Sequence, residues 1–389
     1  MTSAAHVDTD LWGAPASGVA ALERELARMR RVQTAQATEQ GHVVARASVL
    51  NLVVHTTREV HARRAAATIG ELAQRHPSRA IIVHADREWP AGVEAQLAMH
   101  WHLPAADAAR QVSYEQILIR ARGDSDERLA SAVIPLLLPD LPVFLWWTGT
   151  PPLDERLFDD LLALADRFIV DSADFARADV TLPRIARACV TGRGRYGVTD
   201  FNWTRLTPWR DLVTGFFDVP EWRAFLPHVT GLRVGFAVDA DGRDIHPSQA
   251  LLLIGWLASR LGWKATEALA PSEAGGLFFA MKRVDGQIQV RVRPRFERGL
   301  DGGDLSGLRI QAQHDSRLAE FVVKRVAGTG LALATVSLDG RVVASRTVPL
   351  PAPSVTDLLG EELTIAGSDR IYEEAMAALV RLASSGEEA

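Results

Sequence analysis

The stretches whose side chains could do chemistry are few, and each has a structural reading beside it. His76-Pro77-Ser78-Arg79 stands before an apolar run. There a hydroxyl and a guanidinium could hold a phosphate or carboxylate. Proline after a helix is also a common stop signal, and arginine there can cap helix carbonyls, which is the simpler reading. His100 and His102 share one face of an expected strand, but a metal needs at least a third ligand, so a solvated strand face is preferred and no metal is expected. Trp146-Trp147 closes one apolar run and Asp171-Ser172 closes the next. Open α/β sheets place ligands at such strand ends, so these four could border a crevice able to take a phosphorylated sugar held by His76, Ser78 and Arg79. The segment Thr199 to Asp211, TDFNWTRLTPWRD, concentrates Trp203, Arg205, Trp209 and Arg210. Tryptophan and arginine anchor partners because each brings a large contact area to one point. The same residues could instead lock two domains together, with Arg205 and Arg210 paired to Asp200 and Asp211, and since tryptophan is mostly buried this reading is preferred.

Nucleotide and hydrolase signatures are missing. The loop His55-Thr56-Thr57-Arg58 lacks the glycines of a dinucleotide or phosphate loop. Gly192-Arg193-Gly194-Arg195-Tyr196-Gly197 has glycines, but no clear strand precedes it and its spacing is wrong, so it reads as a basic linker. No H-E-x-x-H, G-x-S-x-G or kinase set occurs. No nucleophile–base pair can be named, so neither catalytic residues nor a cofactor are expected.

The elements that would position these residues follow from periodicity. A helix capped by Ser17 carries Val19, Leu22, Leu26 and Met29 at helical spacing. A strand over 43–54, a helix over 58–75 with Val60, Ala67 and Leu72 on one face, and a strand at 80–83 make a βαβ unit with parallel strands. Strict alternation from Val93 to Leu103 predicts a strand with one buried face, with 112–121 as its antiparallel partner. A helix over 126–138, a strand over 142–147, a helix over 154–165 and a strand over 167–170 complete a mixed sheet. After Asp200 the character changes. Thr207-Pro208 opens a helix, His246-Pro247-Ser248 opens another that Gly262 ends, and six strand-like runs between 277 and 348 follow, with Asp285-Gly286 and Asp339-Gly340 as hairpin turns. A last helix runs near 371–383. The expected organisation is a helical segment at 1–40, a mixed-sheet α/β domain with alternating helices at 41–190, and an α+β domain with a mainly antiparallel sheet at 191–389.

Composition bounds the function classes. The chain of 389 residues carries a formal net charge of −5, so no global basic field invites nucleic acid or anionic lipid. Its longest uncharged apolar runs, 132–138 and 141–147, are too short to span a bilayer, so no membrane partner is expected. The N-terminus has no basic-then-apolar leader pattern, and a cytoplasmic protein is expected. A single cysteine, Cys189, excludes an intramolecular disulfide or a cysteine metal cage.

Six motifs in order carry a resemblance: Arg46 to Asn51 with the two valines after it, His76 to Arg79, PLLLPDLPVFLWW from Pro135, DRFIVDS from Asp166, DFNWTRLTPWRDL from Asp200, and LLLIGWLASRLGW from Leu251. In these the chain resembles the glucose-6-phosphate dehydrogenase assembly proteins, the OpcA family of cyanobacteria and actinobacteria. The resemblance implies a protein without its own reaction. Such a protein binds glucose-6-phosphate dehydrogenase, promotes its active oligomer and raises its activity, feeding NADPH production in the oxidative pentose phosphate pathway. The resemblance assigns no contact residue by position; Arg46, Asn51, Trp203 and Trp209, which lie in these motifs, stand with the other candidates for partner or ligand binding. Cyanobacterial relatives are linked to redox control, which one cysteine cannot support as an intramolecular switch.

Overall fold

The structure is a computed structural model that describes residues 8–14, 19–46, 48–86, 92–102, 110–123, 129–192, 194–239, 246–267, 269–272, 276–365 and 367–383. The chain forms two compact units. The first comprises Met1–Val170, Arg195–Gly197 and Val355–Gly367, and the second comprises Asp171–Gly194, Val198–Ser354 and Ser368–Ala389. No helix among the described residues is long and apolar enough to cross a membrane.

The first unit is built on β1 (Asp8–Ala14), β2 (Val43–Arg46), β3 (Leu50–Thr56), β4 (Ser78–Asp86), β5 (Gly92–His102), β6 (Arg110–Arg122), β7 (Val143–Trp147) and β8 (Arg167–Val170). Their order is β1-β5-β6-β4-β3-β7-β8, with β2 beside β6. The β1–β5 and β5–β6 pairs are antiparallel; β6–β4, β4–β3, β3–β7 and β7–β8 are parallel. The expected βαβ unit is present, since β3 and β4 run parallel with the helix Glu59–Leu72 between them. Its buried face differs from the expected one. Ala62, Ala65, Thr68, Ile69 and Leu72 face inward, while Val60 is exposed. The run expected as one strand over 43–54 is two strands, β2 and β3. β3 and β4 are buried on both faces, as parallel strands covered by helices must be. In β5, Ala95, Leu97 and Met99 alternate inward as period two requires.

β9 (Gly197–Asp200) begins with Gly197 donating its amide to the Asp166 carbonyl. The second unit's sheet contains β10 (Val229–Val238), β11 (Lys264–Ala265), β12 (Ala270–Pro271), β13 (Leu277–Arg283), β14 (Gly286–Phe296), β15 (Leu305–His314), β16 (Arg317–Arg325), β17 (Leu331–Leu338) and β18 (Arg341–Pro349). The order is β11-β13-β14-β10-β15-β16-β17-β18, with β12 beside β13. All pairs are antiparallel except β10–β14. One face of this sheet is core: Leu232, Val234, Phe236, Val290, Val292, Leu308, Ile310, Phe321 and Val323 are buried. The helix Thr207–Phe217 lays Phe216 and Phe217 on Phe321, with ring centroids 5.5 and 4.8 Å away. The helix Ser248–Leu261 is buried over most of its length and ends at Gly262, whose φ of +67° suits a residue without Cβ. It meets the helix Arg370–Ala383 at Gly255, where a Cβ would lie 2.7 Å from the Ala375 carbonyl oxygen. The fold is thus a mixed-sheet α/β unit and an α+β unit with a mainly antiparallel sheet.

Candidate functional site

Two aspartates at strand ends organise a buried polar network in the second unit. Asp171 caps the short helical turn Ser172–Asp174 by accepting from the Ala173 amide at 3.1 Å. Asp200 caps the helix Phe201–Arg205 by accepting from the Asn202 amide at 2.9 Å. Aspartate is favoured there because its carboxylate satisfies an amide with no partner inside the helix. The same Asp200 oxygen accepts from the Ser172 amide at 3.0 Å. Asn202 donates to the Ser172 hydroxyl at 3.0 Å and accepts from Arg205 at 2.9 Å. Arg205 forks onto Asp171 at 2.6 and 2.8 Å. Ser248 donates to the Ser172 carbonyl at 2.8 Å, and Gln249 joins Asn202 to Asp304 at 3.1 and 3.2 Å. Asp171, Ser172, Asp200, Asn202, Ser248 and Gln249 are all buried. Burial pushes the Asp200 carboxyl up to about 7, with the Asp171 charge adding to it and the Ser172 and Asn202 amides opposing it. Its Oδ2 has no hydrogen-bond partner among the described residues. The Asp171 guanidinium partner belongs to this network, so Arg205 pairs with Asp171 rather than with Asp200.

The other candidates in the TDFNWTRLTPWRD segment have internal roles. Trp203 is buried, donates its indole N–H to Asp369 at 2.7 Å and lies 5.5 Å from the Tyr372 ring. Arg210 stacks its guanidinium 3.7 Å from the Trp203 ring centroid, and donates to the Trp203 carbonyl at 3.1 Å and the Thr207 hydroxyl at 2.9 Å. Trp209 is among the largest fully buried side chains.

The candidates of the first unit are likewise engaged. Asn51 ties down the turn before β7: it accepts from the Leu138 amide at 2.8 Å and donates to the Leu138 and Leu141 carbonyls at 3.0 and 3.2 Å. Arg79 is buried, donating to Glu115 at 2.5 Å and to the Leu136 carbonyl at 2.9 Å. Arg30 closes on the same carboxylate at 2.5 and 2.7 Å. Burial opposes ionisation of Glu115, but these two guanidinium groups outweigh it and hold the carboxyl below its usual range. Ser78 is buried, and burial holds the half-buried His76 below the usual imidazole value. Trp146 and Trp147 are both buried, Trp147 stacking on His55 at 3.7 Å and meeting Phe158 edge-on at 5.2 Å. Arg46 lies in β2, and its side chain is outside the described residues, as are Ser17 and the side chains of His100 and His102.

A basic surface that the candidate set above does not include lies on the uncovered face of the second sheet. Along β14, Gln289, Arg291, Arg293 and Arg295 alternate with inward Ile288, Val290 and Val292. Along β10, Gly231, Arg233 and Gly235 do the same between Leu232, Val234 and Phe236. In register, Arg233 lies directly between Arg291 and Arg309, and Gly235 lies between Arg293 and Gly307, which in turn faces Lys324. Arg309 reaches Glu320 at 3.1 Å, and Arg291 lies over Phe278 at 5.7 Å. Among the described residues, no carboxylate pairs with Arg233. Burial and then the repulsion of Arg309, Arg291, Arg293 and Arg295 hold its guanidinium below its usual value. A hollow at this place is lined by Arg233, Gly235, Arg293, Ser306, Gly307 and Lys324, with Glu297 also on its wall. The signal was present in the sequence as QIQVRVRPR, where every second residue from Gln287 to Arg295 is polar or cationic.

Residues 70–187 match the family model described as the glucose-6-phosphate dehydrogenase subunit N-terminal domain of OpcA, and residues 196–376 match the corresponding C-terminal domain. The chain belongs to the OpcA glucose-6-phosphate dehydrogenase assembly family. It is 28% identical over 333 residues to an OpcA protein of Synechocystis sp. named for the OxPP cycle, covering 81% of this chain and 66% of that one. A Synechococcus elongatus relative of the same name is 27% identical over 324 residues, covering 81% of this chain and 70% of its own length. The chain therefore spans about two thirds of the length of these OpcA relatives. Among solved structures, levoglucosan dehydrogenase in complex with NADH and L-sorbose aligns with 88% of this chain and 98% of its own, at 12% identity and a TM-score of 0.47, a likeness that decides nothing about chemistry.

Proposed function

We propose that this chain is a non-catalytic partner of glucose-6-phosphate dehydrogenase. In this reading it binds the dehydrogenase in the cytoplasm, promotes its assembly and activates it allosterically, supporting NADPH production in the oxidative pentose phosphate pathway. The observation that carries the reading is the family match on both halves of the chain, in order. The site geometry supports it. The carboxylates, the guanidinium and the amides brought together at Asp171, Asp200, Asn202 and Arg205 bind one another and cap helices, with Asp200 Oδ2 left without a partner among the described residues. Arg79, the one guanidinium of the HPSR motif, is spent on Glu115 and a carbonyl. These groups fix a scaffold, which is what a binding protein needs of its polar interior.

The test is co-purification with the dehydrogenase of the same organism, followed by titration of dehydrogenase activity and oligomer size with the purified chain. A saturable rise in activity with a shift in assembly is the expected outcome. The chain alone should not reduce NADP with glucose 6-phosphate. Turnover that survives rigorous removal of the dehydrogenase, or the absence of any complex, would overturn the reading.

A further inference from the structure

We propose that the uncovered face of the second sheet, centred on Arg233, is where this chain docks an acidic surface of its protein partner; the assignment of that partner as the dehydrogenase rests on the function proposed above. Three observations carry it. First, Arg291, Arg233 and Arg309 stand side by side on three adjacent strands, about 4.8 Å apart, where like charges oppose one another and destabilise the sheet. Among the described residues, only Arg309 of the three pairs with a carboxylate, Glu320. Such a row is tolerated when something outside the chain supplies the compensating charge. Second, the floor beside the row is backbone. Gly235 and Gly307 face each other between Arg293 and Lys324, and a bulge places Ser306 next to them. A Cβ on Gly235 would lie 2.7 Å from Ser306 Oγ, and one on Gly307 would lie 3.1 Å from the Val323 carbonyl oxygen. These contacts favour glycine at both positions, and the hollow beside them, lined by Arg233, Arg293, Ser306 and Lys324, is where a projecting carboxylate side chain would enter among the cations. Third, the same face continues into half-buried Val322 and exposed Leu331 and Leu333. A cationic strip beside an apolar one suits a protein surface, where charge steers and apolar area is buried.

A second copy of this chain is a poor occupant. A two-fold contact sets a patch against itself and would place arginine on arginine. Nucleic acid would need a broad phosphate track, whereas this chain is net acidic and Glu297 and Glu320 border the row.

The experiment measures affinity of the full chain for the dehydrogenase of the same organism by calorimetry, at low and high salt. It compares the wild type, the double variant Arg233→Glu with Arg291→Glu, the single variant Arg233→Gln and the control Arg63→Glu on an exposed helix face of the first unit, with folding checked by circular dichroism. The double variant should lose at least ~10-fold in affinity and most of the salt dependence, with the control unchanged. If the double variant misfolds, Arg233→Gln decides, with an expected loss of about 3-fold. Wild-type affinity in the folded charge variants overturns the docking surface and leaves the proposed function standing. No binding by the wild type overturns both. Loss of self-association, or of binding to a duplex DNA probe, with dehydrogenase binding intact would assign the face to another occupant and overturn the proposal.

Discussion

Arg205 closes both arms of its guanidinium on the carboxylate of Asp171, Nη1 to Oδ1 at 2.6 Å and Nη2 to Oδ2 at 2.8 Å. Burial pushes the carboxyl of the neighbouring Asp200 up to about 7, and the Asp171 charge adds to that rise. Two aspartates with the same capping role thus sit in different surroundings: one has a guanidinium, and the other has only amides and burial.

The consequence is a pH dependence with a defined sign. The Asp200 carboxyl is raised from 3.8 to about 7 in the folded protein. Between those values the folded state holds a proton that the unfolded state has released. Its contribution to stability is therefore fully present below about pH 4 and is lost as pH rises to about 7. Asp200→Asn keeps an oxygen for the Ser172 and Asn202 amides and places the new amide where Oδ2 has no partner. Denaturant unfolding of both proteins across this range should show the wild type losing stability relative to the variant up to about pH 7 and no further change above it. Parallel curves would show that Asp200 ionises like an ordinary carboxyl.

Arg167 and Glu362 form an ion pair at 3.0 Å with side chains 3% and 2% exposed, both within the first unit. Arg167 also donates to the Ile365 carbonyl at 3.3 Å and to the Gly367 carbonyl. The pair joins β8 to the helix Val355–Thr364, nearly two hundred residues later in the chain. Removing one partner leaves a buried charge uncompensated, so Arg167→Met or Glu362→Leu alone should cost about 3–5 kcal/mol of unfolding free energy. The double variant should recover most of that loss, which a double-mutant cycle by chemical denaturation measures.

Trp209 is 1% exposed, with Arg325 5.7 Å above its ring. Truncation to alanine should lower stability by about 3–5 kcal/mol, as for other buried aromatic residues. Dehydrogenase binding at a temperature where the variant remains folded should stay within a few-fold of wild type. An unchanged thermal midpoint with activation lost would instead make Trp209 a contact residue.

How much of this was legible in the sequence depends on how local its cause is. Period-two alternation located β5, β13 to β18 and their turns, and Asp339 and Gly340 do adopt the left-handed φ values, 50° and 79°, of a tight hairpin. The βαβ unit followed from two apolar runs around an alanine-rich helix, but which face of that helix is buried did not. Short alanines and a valine mark a helix weakly, and packing chose Ala62, Ala65 and Ile69 over Val60. The helix Ala178–Thr191 was hidden by its internal Pro183, a residue that usually ends helices. β10 lies outside the expected strands although its inner residues alternate; its outer face carries Gly231 and Gly235, and Gly235 lines the basic hollow. Among the candidate residues, types were informative and pairings were not. Asp200 and Arg205 lie in one short segment, yet Arg205 takes Asp171, a partner 34 residues away that only the fold brings near.

The mechanism proposed for activation carries its own test. A partner without catalytic groups can raise an enzyme's activity by favouring one of its conformational or oligomeric states, and it can do so only by as much as its affinities for those states differ. Binding linkage then makes the effect reciprocal: if this chain tightens the dehydrogenase's hold on glucose 6-phosphate by some factor, glucose 6-phosphate must tighten the hold on this chain by the same factor. Calorimetry of the complex with and without saturating glucose 6-phosphate, set beside the substrate's equilibrium affinity and the enzyme's oligomer size, should give matching factors or a matching shift in assembly. If turnover rises while affinity and assembly stay fixed, population shift is excluded. Groups donated in trans then become the explanation, and the solvent-facing arginines around Arg233 are the first to substitute, because Arg205 and Arg79 are already committed to Asp171 and Glu115.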